Sequence, residues 1–390
     1  MRVIDVSIEE DRSAARLLRT IRLRPRGLVL PVDSFWYEFQ GPLLPPPVDR
    51  ADAAVIATIF LAMRLGAAIH VQGKVCRGLL ANLDEFQDVW ACWKPEAYRK
   101  IALSADEEID SIKSAGDDAV LVFSGGVDSS FTLVRHVSGR AGRNTKRILA
   151  ALLIHGFDIP ASDPDAFARA TDSARAALGV VNVPLVTVRT NWRPAMCRNW
   201  EMEFCAGLAG CLHHFEQASI GLVGSDEDYA HLALPWGSNP ISNPLLSSAT
   251  FRIVTDGSAW TRTEKIRALG GYPALLGSLR VCWEGEVGGV NCGACEKCIR
   301  TQLNLLACGL TSGPKFVAPL SFGRIALLRA RNRIQRQYLL EILTAAKQAR
   351  ISSSWVVALR IAIARSALCE TLEFCWRPIP VFLRRLRSRT

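Results

Sequence analysis

The sequence predicts an α/β protein centred on a Rossmann-like parallel sheet with helices on both faces, extended by an N-terminal α/β unit, a four-cysteine metal segment and a helical C-terminal extension. Three observations predict it. Between Ala119 and Val223, short β-rich apolar runs alternate with helical ones. The first run ends in a glycine-rich turn that leads directly into a helical pattern, and farther on four cysteines crowd into residues 282–298. Buried parallel strands read as unbroken apolar runs and bind ligands beyond their carboxyl ends, so the loops after these runs are where function is sought.

Taken in order, residues 1–110 form a first unit. It has a turn at Pro45-Pro46-Pro47, an apolar helical pattern over 53–65, a tryptophan-rich stretch through Trp90 and Trp93, and an acidic helix-like segment over 104–113. It reads as an accessory packing or oligomerisation unit, which leaves a homodimer open. The second unit, 111–310, places strands at 119–123, 148–154, 184–188 and 220–223, with helices near 129–136, 163–178 and 198–213. The third, 311–390, is a basic helical extension.

With 49% hydrophobic and 22% charged residues over 390 positions, the chain has an ordinary globular composition and room for two or three units. Asp5, Glu9, Glu10 and Asp11 stand where an export signal would be apolar, and Arg64 and Arg360 interrupt the two most apolar stretches. A soluble cytoplasmic protein is expected. Thiols stay reduced there, so the 12 cysteines are read as metal ligands and small buried hydrophobes rather than disulfides. The net charge of +10 belongs to the end of the chain: from Arg324 onward 14 Lys and Arg face three acids, a local +11 that leaves residues 1–323 at −1. Nucleic acid is therefore not the expected partner of the core, whereas the tail from Arg377 to Arg389 would dock on an anionic partner or stay solvated.

The first apolar run is followed by Ser124-Gly125-Gly126-Val127-Asp128-Ser129-Ser130 and then a helical pattern. Adjacent glycines let the backbone approach an anion, and the amides of Val127 to Ser130 at a helix start can cradle phosphate oxygens. Hydroxyls of Ser124, Ser129 and Ser130 add donors, and Asp128 can meet the Mg²⁺ that accompanies phosphates. The turn lacks the Gly-Lys-Ser/Thr ending of a Walker A loop. It resembles the signature of the PP-loop ATP pyrophosphatases, the adenine nucleotide alpha hydrolase-like superfamily that includes 7-cyano-7-deazaguanine synthase, asparagine synthetase, GMP synthetase and tRNA-thiolating enzymes.

That resemblance implies a PP-loop (HUP-type) fold that holds ATP and Mg²⁺, keeps the pyrophosphate on the loop and adenylates a substrate. It also implies adenosine recognition by His155 and Gly156 after the second strand, with Thr190-Asn191 ending the third. After the fourth strand, Asp226, Asp228 and Tyr229 are similar to the Asp-Tyr segment that borders the substrate in deazaguanine synthases; a solvated acidic turn is the plainer reading. Arg262 and Lys265 lie on a helix start, where they would neutralise phosphate charge as catalytic partners of Asp128 or simply face solvent.

Cys282, Cys292, Cys295 and Cys298 form a Cys-x9-Cys-x2-Cys-x2-Cys array with Gly288, Gly289 and Gly293 in its loop. Four thiolates suit a closed tetrahedral Zn²⁺ site, and an Fe–S cluster is the alternative. With Arg300 beyond it, the array also resembles the carboxy-terminal zinc segment of the deazaguanine synthases, where the metal would be structural. The resemblance spans about 119–308 and fails at both ends. The stretch His231 to Pro240 departs from the substrate-side motif of those enzymes, and Arg2 stands where a glutaminase domain would carry its cysteine. The expected activity is therefore adenylation of an unidentified carboxylate or amide, captured by ammonia or an amine, as in C–N ligases. Sulfur transfer of the tRNA-thiolase kind and a non-catalytic nucleotide-binding role are the competing readings.

Overall fold

The computed structural model describes residues 2–13, 16–110, 116–282, 290–330 and 333–376. Its frame is one ten-stranded sheet, mostly parallel, in the order β10-β9-β6-β7-β8-β3-β2-β1-β4-β5. The central strands are β6 (Asp118–Val122), β7 (Arg147–His155), β8 (Leu185–Thr190), β9 (Ile220–Gly224) and β10 (Arg252–Asp256), all mutually parallel. Four of these five match the apolar runs of the sequence; β10, only five residues long, was not foreseen.

Alternation along these strands divides the core. Val120, Leu152 and Val186 point to one face, where α1 (Asp52–Leu65), α2 (Arg77–Trp93), α5 (Trp192–Met196) and α6 (Trp200–Leu212) pack. Leu121, Leu153 and Leu222 point to the other, against α3 (Val127–Val137), α4 (Pro164–Gly179), α7 (Arg262–Leu269) and α8 (Pro273–Gly277). Helices therefore cover both faces of the parallel strands, as the sequence predicts.

Residues 1–110, set apart in the sequence reading, continue the same sheet. β1 (Val3–Arg12), β2 (Leu17–Arg26) and β3 (Ser34–Gln40) form an antiparallel meander, and β3 joins β8 antiparallel with Tyr37 opposite Thr190. β4 (Ala68–Cys76) and β5 (Leu103–Ile109) complete the far edge in parallel with β1. α1 is buried from Asp52 to Met63 because it lies between this part of the sheet and α6, to which Arg64 is tied by Glu203 at 2.5 Å. The acidic segment expected as a helix is β5; its acids suit an edge strand, where charge blocks further pairing, and 111–113 lie outside the described residues.

The C-terminal extension is helical as expected. α10 (Phe322–Ala326), α11 (Arg333–Gln348) and α12 (Ser354–Trp376) share a third apolar cluster with Ile299 and Leu303 of α9 (Glu296–Ala307). The basic tail from Arg377 to Arg389 lies outside the described residues. Among those described, no helix is long and apolar enough to cross a membrane.

Candidate functional site

The glycine turn sits where the fold brings a strand end, a helix start and two neighbouring loops together. Gly125 adopts φ +73°, a conformation that side chains resist, and Gly126 is the extended N-cap of α3. Ser124 Oγ accepts from the Gly126 amide at 3.3 Å and lies 3.3 Å from Ser129 Oγ. The Ser130 amide is committed to Gly126 O at 3.0 Å, so the amides of Val127, Asp128 and Ser129 are the ones a helix start leaves without an internal acceptor. Gly224, ending β9, must be small: a Cβ there would stand 2.8 Å from the Asp128 carbonyl carbon. The turn is also braced from outside, because Arg280 donates its amide to Gly125 O at 2.9 Å and its guanidinium to Ser124 O at 3.2 Å.

Asp128 is the electrostatic centre. Arg262 Nη1 reaches Oδ2 at 2.8 Å and Lys265 Nζ reaches Oδ1 at 3.1 Å, while Lys265 also donates to Ser225 O at 2.6 Å. Both cations ride on α7, whose start is fixed by a capping box between Thr261 and Glu264. Burial disfavours the charged carboxylate, but Arg262 and Lys265 outweigh it and hold Asp128 below the usual carboxylate range. The opposite happens next door. Burial and then the Asp128 carboxylate push Asp226 up, and burial pushes Glu227 up to about 7 even though its Oε2 accepts from the Ala233 amide at 2.7 Å.

α9 and α11 close this region. Arg300 is buried, pairs with Glu296 at 3.0 Å and lies 4.3 Å over the Tyr338 ring. Glu341 of α11 accepts from the Thr263 amide at 2.7 Å, and Gln337 meets His231 at 2.9 Å. His231 in turn faces Asp228 at 2.8 Å.

The structure thus gathers Ser124 to Ser130, Arg262, Lys265 and Asp226 into one neighbourhood. Asp228 is turned toward His231 instead. His155 is set back: its ring stacks on Phe167 at 4.2 Å and its Nε2 is bonded to Pro160 O at 2.8 Å. Gly156 beside it carries φ +108°, and a Cβ would fall 1.9 Å from Thr190 O, so glycine is required there by packing alone. Arg280 and Tyr338 are not legible in the sequence, since only long-range packing brings them to the site, whereas Glu227 lies between Asp226 and Asp228 and owes its raised pKa to burial.

The four cysteines converge. Their sulfurs lie within 4.8 Å of one another, with Cys282–Cys295 at 3.8 Å and Cys292–Cys298 at 3.9 Å. Four ligands at about 2.3 Å around one tetrahedral ion stand about 3.8 Å apart, so the spacing suits a single metal ion; a cubane cluster, with its irons at separate corners, needs thiolates farther apart. Amides of Ala294 and Cys295 approach Cys292 Sγ at 3.4 and 3.3 Å, but burial outweighs them and pushes this thiol up. Hydrogen bonding from Cys298 lowers the Cys295 thiol to about 6. Gly293, at φ +77°, has no room for a side chain because a Cβ would meet Ala318 O at 2.1 Å. Gly288 and Gly289 lie outside the described residues. The knot connects to the glycine turn: Asn291 Oδ1 accepts from Val281 and Cys282 amides at 2.8 and 3.2 Å, immediately after the bracing Arg280.

Comparison with protein-family models finds no match, and searches of curated proteins and of solved structures likewise return none.

Proposed function

We propose that the protein binds Mg-ATP on the loop 124–130, in the manner of a PP-loop pyrophosphatase, and cleaves it between the α- and β-phosphates. The AMP moiety passes to a carboxylate or amide of an acceptor, which ammonia or an amine then attacks. The observation that carries this reading is Asp128 at the free helix start, clasped by Arg262 at 2.8 Å and Lys265 at 3.1 Å. A buried lysine and a largely buried arginine beside free amides suit an anion, and a carboxylate among them is suited to a divalent cation.

In this reading the amides of Val127 to Ser129 receive the departing pyrophosphate. Arg262 and Lys265 exchange Asp128 for phosphate oxygens, which frees the carboxylate, with Asp226 beside it, to hold the metal. Mg²⁺, when bound, supplies charge neutralisation for the polyphosphate. Glu227, whose carboxyl burial pushes up to about 7, would take a proton from the incoming nitrogen in this scheme. Nitrogen transfer is preferred to sulfur transfer because burial pushes the thiols of Cys197 and Cys205 up to about 12, far from a reactive thiolate. One structural Zn²⁺ is assigned to Cys282, Cys292, Cys295 and Cys298, whose four ligands leave no open position.

Pyrophosphate release across candidate acceptors tests the reading. Asp128→Asn is expected to lower turnover about 100-fold or more, as loss of a key electrostatic group does. It should also lower stability, because the two cations lose their counter-charge. A folded Asp128→Asn protein that releases pyrophosphate normally overturns the assignment.

A further inference from the structure

A cavity of about 310 Å³ opens between α3 and the edge strand β10, away from the glycine turn. That is the small end of ligand-pocket sizes and suits one ring with a short substituent rather than a whole nucleoside triphosphate. Its chemistry is mixed in a particular way. The Asp256 carboxylate on the floor is already balanced: Arg135 pairs with it, and His136 Nε2 faces it at 3.4 Å. His136 Nδ1 accepts from the Lys146 amide at 3.0 Å, which leaves the ring proton on Nε2, toward Asp256. Lys146 is paired with the exposed Asp117 at 2.6 Å, but Arg252 on the rim carries no ion pair to any described residue. The cleft therefore keeps a positive surplus.

Two further observations narrow the ligand. Tyr229 and Trp260 line the cleft while exposing 61% and 39% of their surfaces, an apolar cost that a flat partner would offset. Within it, Ser258 Oγ and Asp256 Oδ2 are buried without hydrogen-bond partners, and such atoms are costly until something pairs with them. A hydroxyl accepts or donates; a carboxylate oxygen only accepts.

We propose that this cleft binds a small planar ring bearing an oxyanion and a hydrogen-bond donor, with the anion on Arg252, the ring against Tyr229 and Trp260, and the donor facing Asp256 and Ser258. The site stands apart from ATP turnover: the cleft-side Gly257 abuts Phe131 and the Lys265 stem, which separate it from Asp128.

The test is calorimetric titration of the full chain with 4-aminobenzoate as the carboxylate form and 4-aminophenyl phosphate as the phosphate form, and with aniline and acetate as ring-only and anion-only controls. At least one of the two complete probes should bind, and neither control should. Which of them binds identifies the anion. Arg252→Gln, a change on the exposed rim, should weaken binding about 10-fold or more, in line with loss of a charge-assisted contact, and Trp260→Ala should weaken it as well. Asp128→Asn should leave it unchanged within about 2-fold, a difference well under 1 kcal/mol, which locates binding in the cleft even if the ATP reading fails. Binding that survives Arg252→Gln, or no binding of either complete probe, overturns the proposal.

Discussion

The two halves of the sheet bury their strands differently, and the difference locates the chemistry. From β6 to β10 all strands run parallel and helices cover both faces, so strand ends and helix starts converge at one rim. From β1 to β3 only the face carrying Ile4, Ile21 and Phe35 is covered. The other face carries exposed pairs such as Arg22–Glu9 at 2.9 Å and Arg26–Asp5 at 2.7 Å. Antiparallel pairing permits such one-sided burial, and parallel βαβ winding does not. The parallel half therefore presents free amides and desolvated charge at its rim; the antiparallel half stiffens it, through β3 on β8 and α1 on α6.

The largest contrast should come from the metal. With one zinc at the four cysteines, Cys295→Ser or a strong chelator should strip amide-exchange protection from α9 and weaken ATP binding, because the segment that carries Arg280 to the glycine turn runs directly into Cys282. Amides of β1 to β3 should keep their protection. Uniform loss across both halves would show that they do not differ in this way.

Two glycines sharpen the comparison at smaller scale. Gly156 and Gly73 have similar φ, +108° and +116°, but a Cβ at Gly156 would fall 1.9 Å from Thr190 O, whereas Gly73 has nothing within 4 Å. Gly73→Ala should cost only its backbone strain, about 1–2 kcal/mol. Gly156→Ala adds a steric overlap with fixed backbone and should exceed that by a further 1–3 kcal/mol or so in urea unfolding. Equal costs would mean that the β7–β8 rim is looser than its packing indicates.

Ion pairs give a contrast of similar size. Arg64→Ala leaves Glu203, whose side chain is fully buried, without its counter-charge and held by Tyr98, the Arg198 amide and Cys197, and should cost about 3 kcal/mol or more. Arg22→Ala, on the open face, should cost at most about 1 kcal/mol and less at high salt.

The same contrast explains what the sequence disclosed. Strands buried on both faces are apolar throughout, so 148–154 and 220–223 were legible and proved to be β7 and β9 within a residue or so. β1 and β2 interleave Asp5, Glu9, Arg22 and Arg24 with apolar residues, which makes them polar on average, and β5 has so many acids that its sequence reads as a helix. At the site, the glycine turn and the α7 start were legible because their geometry is set by neighbours in sequence, as the Thr261–Glu264 capping box is. His155 misled because a polar residue after a strand end is read as facing ligand, and here Phe167 and Pro160 satisfy its ring. Arg280 and Tyr338 owe their roles to contacts across long stretches of chain, which local pattern does not encode.

The central claim is the bond that is broken in ATP. With an acceptor that supports turnover and ¹⁸O placed in its carboxylate, phosphorus NMR should show pyrophosphate and AMP as products, with the label in the AMP phosphate. ADP and orthophosphate as products, with no label in the nucleotide, would contradict adenylation and with it the role given to Asp128, Arg262 and Lys265.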